Sequence, residues 1–214
     1  MNVVVDNLDV FLEGMRLTAL LSVLSFAMAM VVGTVVAGMR VSPVPPLRWT
    51  STTYIEIVRN TPLLVLMYLF FFGFPSIGIR YSPFVSAIIV LTAYTGTFVA
   101  ETVRSGINSV SKGQAEAARA VGLTFPQTLG VVVLPQALRT VVGPLGGIFI
   151  ALLKNSSLAV VIGVGELTSA AERVGTNTAR FIPAYLGAAA FYLLMTVPSG
   201  FAIGWLDRRM AIKR

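Results

Sequence analysis

Uncharged apolar runs recur along the chain, separated by short polar segments. A helix needs about 20 mostly apolar residues to cross the hydrocarbon core of a bilayer. The pattern therefore predicts an all-α membrane protein with five transmembrane helices, in a single transmembrane domain covering residues 1–214. The predicted spans cover about residues 15–39, 58–79, 82–104, 140–165 and 181–206.

One proline-containing segment precedes the second span, and another lies at its start. The polar link RVSPVPPLRW (residues 40–49) contains three prolines, and we expect them to stop any helix there. At the start of the second span, Asn60 or Thr61 is expected to cap the helix, and Pro62 fits its first turn.

A sixth apolar run, GQAEAARAVGLTFPQTLGVVVLPQALRTVVGP (residues 113–144), includes 19 consecutive uncharged residues. Threonine, glutamine and glycine residues interrupt it. Pro126 and Pro135 each remove a backbone hydrogen bond that hydrocarbon cannot replace. These features favour a position outside the membrane.

The distribution of positive charge supports the same conclusion. With five spans and the N-terminus outside, eleven Lys and Arg residues face the cytoplasm, four lie outside, and Lys154 lies within a span. A sixth span would move a basic segment outside, against the positive-inside rule. We therefore expect the loop of residues 105–139 and the C-terminus to be cytoplasmic.

Composition narrows the chemistry of the chain. Only 12% of its residues are charged, against roughly 25% in soluble domains. It contains no Cys and no His, which excludes thiol nucleophiles, disulfides and imidazole catalysis and argues against a zinc site. No catalytic residue, metal site or nucleic-acid partner is predicted.

Within the cytoplasmic loop, GQAEAARAVG predicts a short helix that ends at Gly122. A second short helix is predicted around residues 126–133, with proline in its first turn. Because helices this short are marginal alone, the pair needs a packing surface. That surface is either a groove on a partner protein or the chain's own helix bundle.

The loop carries a resemblance to a known family. Glu116-Ala117-Ala118, Gly122 and Leu134-Pro135 are spaced as in the EAA loop of permease subunits of ABC importers. The stretches IVRNTPLL, ETVRSGINSVSKGQAEAARAVG and LKNSSLAVVIGVGEL are similar to permeases for polar amino acids. The third span contains AYTGTFVAETVR where many such permeases have AYTAEIFR, and this variant resembles glutamate-type permeases of actinobacteria.

The resemblance implies a type I ABC importer permease fold, with coupling helices between the third and fourth spans that sit in a cleft of a cytoplasmic ATPase. Glu116 would face basic groups on the ATPase, Ala117 and Ala118 would allow close approach, and Gly122 would allow a sharp turn. The residues assigned to ATPase coupling on this basis are Glu116, Ala117, Ala118, Arg119, Gly122, Leu134 and Pro135.

The resemblance also implies the partners. They are a cytoplasmic ABC ATPase dimer that binds ATP-Mg, an external substrate-binding protein, and a second permease copy or a similar chain. The chain itself would hold no cofactor. It would sit in a bacterial plasma membrane and import a polar amino acid, glutamate or a related one.

Lys154 is the only charged residue in the predicted fourth span. A cation at mid-membrane costs about 2.5–3.5 kcal/mol on insertion scales, so it normally has a partner or faces water. Asn155-Ser156-Ser157 continue a helix poorly, and an interrupted helix can expose backbone dipoles to a ligand. We predict that Lys154 and these three residues meet a substrate carboxylate. The alternative is an ion pair with Glu166, Glu101 or a partner chain.

Other polar residues are weaker candidates. The hydroxyls of Tyr94 and Thr95 could line a pathway, while Tyr94 could equally pack in the core. Arg59 could bond to Glu56 or a lipid phosphate, or could contact substrate on the cytoplasmic side together with Asn60 and Thr61. Glu101 and Arg104 are spaced for a structural ion pair on one helix, and the alternative is that Glu101 faces the pathway.

The chain has no G-x-x-x-x-G-K-[ST] phosphate loop, so its energy source is elsewhere. Three functions other than an ATP-driven importer subunit fit the sequence less well: a secondary transporter, a membrane enzyme and a structural subunit. An ion-gradient-driven secondary transporter usually carries internal repeats and intramembrane carboxylates, and neither is evident. A membrane enzyme lacks a nucleophile–base pair, and a purely structural subunit would not need Lys154 in hydrocarbon.

Overall fold

The computed structural model describes residues 3–210, which form α-helices joined by short turns and contain no strand. π-helical and 3₁₀ turns extend α3 to Ile77, join α6 to α7, and extend α7 to Ile162. The α-helices are α1 Leu8–Val41, α2 Pro45–Asn60, α3 Leu63–Tyr68, α4 Pro83–Ser109, α5 Lys112–Ala120, α6 Phe125–Gln127, α7 Leu134–Asn155, α8 Leu167–Thr178 and α9 Phe181–Met210.

The described residues contain four segments that are long and apolar enough to cross a membrane, and five if a bent helix pair is counted as one span. Four continuous helical segments are long and apolar enough to cross a bilayer: Val5–Val41, Pro83–Ser109, Phe125–Ile162 and Phe181–Met210. The fifth is a bent pair, α2 with the segment Leu63–Ile77, whose two halves meet at 103°. The expected all-α fold with five spans is confirmed.

The proline-rich link stops one helix, as expected, and also starts the next. Helix α1 ends at Val41, and Ser42, which precedes Pro43, is extended at ψ 144°. Helix α2 begins at Pro45, with proline in its first turn. Proline is tolerated there because the first backbone N–H groups of a helix have no intrahelical partner to lose. Pro43 therefore lies in the break after α1, whereas Pro45 and Pro46 form the start of α2.

The residues expected to cap the second span instead close the helix before it. The Asn60 amide donates to the Glu56 carbonyl oxygen at 2.8 Å, and the Thr61 hydroxyl donates to the Ile57 carbonyl oxygen at 2.7 Å. Thr61 is extended, at φ −92° and ψ 129°, as expected for a residue that precedes proline. Pro62 thus sets the bend between α2 and α3.

The segment predicted as a cytoplasmic loop, residues 105–139, is mostly helical. Helix α4 continues to Ser109, and α5 ends at Ala120. The next helix starts at Phe125, with Thr124 and Gln127 forming a capping box and proline in the first turn. The sequence predicts that this helix ends near residue 133. In the structure it instead continues to Ile162.

A π-helical turn accommodates the second proline in this long helix. Thr128–Val133 is π-helical and directly precedes Pro135. Such turns absorb a missing backbone hydrogen bond without ending a helix. Beside the proline, the Gln136 amide donates to the Val132 carbonyl oxygen at 3.0 Å. Two prolines therefore do not break this helix.

The same helix is longer than a bilayer needs. Its 38 residues extend over about 57 Å, while the hydrocarbon core is about 30 Å thick. A helix of this length that crosses the bilayer without tilt would extend beyond the hydrocarbon by about half of its length. This length agrees with a fourth span over about 140–165 and a first part that stays outside the membrane core.

Close helix packing forms the centre of the molecule. Helices α1 and α4 touch at Gly33, where an added Cβ would lie 2.6 Å from the Val99 Cβ and 2.8 Å from the Gly96 carbonyl oxygen. Gly146 of α7 packs directly on Ile203 of α9. The absence of a side chain at Gly33 and Gly146 thus permits the close approach of these helices.

Helix α8 was not predicted. It lies between the last two spans and packs against α9 and the start of α1. Gly14 of α1 meets it closely, because an added Cβ there would lie 2.9 Å from the Ala170 Cβ. Glu166 caps its N-terminus.

Candidate translocation and coupling sites

Lys154 lies in the last turn of α7, and its side chain is exposed. Within residues 3–210 it takes part in no ion pair. Glu101 instead pairs with Arg104 at 2.8 Å and with Arg40 at 3.5 Å. The suggested internal ion pairs of Lys154 with Glu101 or Glu166 are therefore not formed, and an ion pair with a partner chain stays an alternative to a substrate contact.

The helix tightens just after Lys154. Ser156–Ile162 is a 3₁₀ helix, which ends at Gly163 with φ 84°. The expected interruption is thus a change of helix type followed by a turn. Asn155 and Ser157 are half-buried, so both keep some access to a ligand.

Ser156 does not share that access. Its side chain is fully buried, and its hydroxyl donates to the Leu153 carbonyl oxygen at 2.7 Å. A hydroxyl that already bonds to its own helix, in the core, is not placed to meet a substrate. The assignment of Ser156 to a substrate site does not hold in this conformation.

Tyr94 and Thr95 lie mainly inside the bundle. Thr95 is 3% exposed. Tyr94 is half-buried and packs against the apolar cluster that includes Leu152 and Ala159. This matches the core-packing alternative for Tyr94. The same cluster includes Leu152 of α7, two residues before Lys154.

An aromatic residue connects Arg59 to this region. The Arg59 guanidinium lies over the Phe98 ring, 5.1 Å from its centroid, and the Tyr94 ring lies 5.2 Å from that of Phe98. A cation–π contact of this kind contributes about 0.5–1 kcal/mol at an exposed site. The Glu56 carboxylate accepts from the Asn60 amide at 3.1 Å and forms no ion pair with Arg59. Arg59 therefore forms no ion pair within the described residues, although it lies close enough to Glu101 for the two charges to interact.

Five residues remain candidates for a translocation site because they keep some exposure and can interact with a carboxylate. They are two cations without an ion pair and three half-buried polar residues: Lys154, Arg59, Asn155, Ser157 and Tyr94. Asn60 and Thr61 directly follow Arg59, but their side chains close α2. No cluster of three or more His, Cys, Asp or Glu residues that could hold a metal occurs in residues 3–210. The site is suited to binding.

The EAA motif forms helix α5, which exposes one face and packs with the other. Glu116, Ala117 and Arg119 are exposed, whereas Ala118 is 7% exposed and faces the protein's own bundle. Ala118 therefore supports the helix from below, contrary to its assignment to the ATPase contact. The structure shows one of the two alternatives for this loop, packing of α5 within its own chain, and the contact of Glu116 with a partner stays a prediction.

Gly122 makes the turn predicted for it. Its φ is 91°, a conformation that glycine adopts without strain. Its N–H donates to the Arg119 carbonyl oxygen at 3.0 Å, and the Leu123 N–H donates to the Ala118 carbonyl oxygen at 3.1 Å. These two hydrogen bonds close α5. Leu134 and Pro135, also assigned to coupling, lie on the long helix behind α5.

Sequence reasoning missed the role of Glu166. Its fully buried carboxylate accepts hydrogen bonds from the N–H groups of Thr168 and Ser169, both at 2.9 Å, and from the Tyr192 hydroxyl at 2.8 Å. Desolvation by burial raises the pKa of this carboxyl above its usual range, although these hydrogen bonds act to lower the pKa. The next N–H, of Leu167, donates to the Thr18 hydroxyl at 3.0 Å. Glu166 thus ties α8 to α9 beside its contact with α1.

The sequence profile of a known family matches almost the whole chain. Residues 17–212 match the family described as "Binding-protein-dependent transport system inner membrane component". The chain belongs to this family and is a permease subunit of an amino-acid ABC importer. It is accordingly a multi-pass membrane protein, and family membership implies an ATPase, a substrate-binding protein and a further permease subunit as partners.

Individual relatives agree on amino acids as the class of substrate. The chain is 40% identical to the probable glutamine ABC transporter permease GlnM of Bacillus subtilis, covering 98% of this chain and 97% of that one. It is also 40% identical to the glutamate transport system permease GluC of Corynebacterium glutamicum, with 92% of each covered. A crystal structure of an amino acid ABC transporter with histidines superposes with a TM-score of 0.89 at 33% identity, covering 96% of each chain.

Proposed function

We propose that this permease imports glutamate, or a closely related polar amino acid, and that Lys154 receives the substrate carboxylate. The unpaired, exposed ammonium group of Lys154 is the observation that carries this proposal. Arg59 adds a second cation that forms no ion pair within residues 3–210, which suits a substrate with two carboxylates. The relatives named for glutamine and glutamate transport support the same class of solute.

The pathway would lie between two permease subunits, because five helices enclose too little space for one. An external binding protein would deliver the amino acid, and ATP hydrolysis on a cytoplasmic ATPase dimer would switch access between the two sides. Helix α5 would transmit that switch through Glu116. The N-terminus would lie outside and the C-terminus in the cytoplasm, as the distribution of positive charge favours.

The substrate is tested with the reconstituted importer. Permease, ATPase and binding protein are placed in vesicles, and uptake of radiolabelled glutamate and glutamine is measured with ATP inside and no ion gradient. We expect ATP-dependent uptake of glutamate, which unlabelled glutamate suppresses more strongly than glutamine does. Equal suppression by both, or uptake of glutamine alone, would refute glutamate as the preferred substrate.

Removing the charge of Lys154 tests the site itself. Lys154→Ala should lower glutamate uptake by about 10- to 100-fold, because a hydrogen bond to a charged group contributes about 1.5–3 kcal/mol. Lys154→Arg keeps the charge and should retain most uptake. Since Lys154 is exposed, neither variant should change thermal stability noticeably. Full uptake by Lys154→Ala would show that the carboxylate is bound elsewhere.

A further inference from the structure

A cavity lies beneath helix α5, on the side that faces the helix bundle. Its volume is about 330 Å³, within the range of small-molecule sites. The ends of α1 and α4, the inner side of α5, and the first turns of the long helix that starts at Phe125 surround it. It is separate from the residues around Lys154.

The rim of this cavity is basic. Lys112 and Arg119 both line it, and they lie seven residues apart on α5, so they project from the same face of the helix. Neither forms an ion pair within residues 3–210. No Asp or Glu lines the cavity, so its charged groups favour an anion.

The inner wall is apolar and contains a hydroxyl without a partner. Val41, Ile107 and Val133 contribute the apolar surface. Thr128, also in the wall, is only 4% exposed, and its hydroxyl has no hydrogen-bond partner among the described residues. Buried polar groups normally have one, so this hydroxyl points to a ligand or an ordered water.

The position of the cavity along the membrane normal favours one kind of anion. Val41 ends α1, and Ile107 lies in the last turn of α4, two and three residues beyond the predicted ends of the first and third spans. Lipid headgroups lie at this level, just outside the hydrocarbon. A lipid has both an anionic head for the basic rim and an acyl chain for the apolar wall.

We propose that this cavity binds an anionic phospholipid of the inner leaflet. The phosphate lies between Lys112 and Arg119, the Thr128 hydroxyl donates to a headgroup oxygen, and an acyl chain covers Val41, Ile107 and Val133. The lipid thereby fixes the orientation of α5. The proposal rests on the proposed function only in placing α5 at the inner face of the membrane.

Photo-crosslinking tests binding directly. The permease–ATPase complex is placed in phosphatidylcholine vesicles that contain a photoactivatable phosphatidylglycerol, and crosslinked peptides are identified by mass spectrometry. We expect crosslinks within residues 107–133. Lys112→Ala/Arg119→Ala should lower their yield by about tenfold or more, and Thr128→Val by about three- to tenfold. Arg139→Ala, which removes an exposed cation outside the cavity, is the matched control and should leave the yield unchanged.

Other outcomes overturn the proposal. Crosslinks that are absent from residues 107–133, or that fall equally in Arg139→Ala, show that no such site exists. Loss of the crosslinks when the ATPase is added to the permease alone shows that the ATPase covers the cavity. Inorganic phosphate that competes away the crosslinks at millimolar concentration shows a free anion as the ligand. Because crosslinking needs no transport, these results are independent of glutamate uptake.

Discussion

Reversing the charge of Glu116 is expected to abolish coupling between transport and ATP hydrolysis. Glu116→Lys should reduce ATP turnover stimulated by loaded binding protein to the unstimulated rate and lower uptake by about 100-fold or more. A lysine facing the basic groups proposed on the ATPase replaces attraction by repulsion, which costs several kcal/mol at an interface. The measurement is ATP turnover and amino-acid uptake of the reconstituted importer.

The chain offers a matched control on the same helix. Gln114→Lys introduces the same cation two residues away, where it projects from a different side of α5. Both positions are exposed, so neither lysine should affect folding noticeably. We expect Gln114→Lys to keep most of the stimulated turnover. Equal loss in both variants would mean that positive charge anywhere on α5 is harmful, and Glu116 would have no specific role.

Removing the carboxylate of Glu166 is expected to have the largest effect on stability. Glu166→Ala leaves the N–H groups of Thr168 and Ser169 and the Tyr192 hydroxyl without their acceptor in a buried site. Unmet donors and a lost helix cap together cost about 3–5 kcal/mol. The midpoint of thermal unfolding in detergent should fall by roughly 10 °C.

Helix α8 provides the comparison for this variant. Glu172→Ala removes an exposed glutamate from the same helix and should shift the midpoint by about 1 °C or less. Glu166→Gln keeps the shape and one acceptor oxygen and should fall between the two. If Glu166→Ala unfolds at the same temperature as Glu172→Ala, the network around Glu166 does not hold α8 in place.

Features that depend on local sequence were predictable. The five apolar runs, the turn at Gly122 and the proline in the first turn at residue 126 follow from backbone preferences and side-chain polarity within a few residues. The EAA spacing identified the family for the same reason, because it is a pattern within one loop. These predictions are confirmed.

Features that depend on three-dimensional packing were not predictable. Pro45 and Pro46 lie in the first turn of α2. A proline is tolerated only where the backbone N–H that it lacks would have no partner, and this depends on where the helix begins. Whether Ala118 and Ser156 point into the bundle depends on neighbouring helices that are distant in sequence. One local signal could have indicated the start of α8. Two glycines, Gly163 and Gly165, precede Glu166, which is followed by an apolar residue.

Chemical labelling from each side of the membrane tests the location of α5 most directly. The chain contains no Cys, so Ala117→Cys on α5 and Asn177→Cys on α8 each supply a unique, exposed thiol. In right-side-out and inside-out vesicles, a membrane-impermeant maleimide is expected to reach Cys at 117 only from the cytoplasmic side and Cys at 177 only from the external side. Labelling of position 117 from the external side would contradict the proposal that α5 couples this permease to a cytoplasmic ATPase.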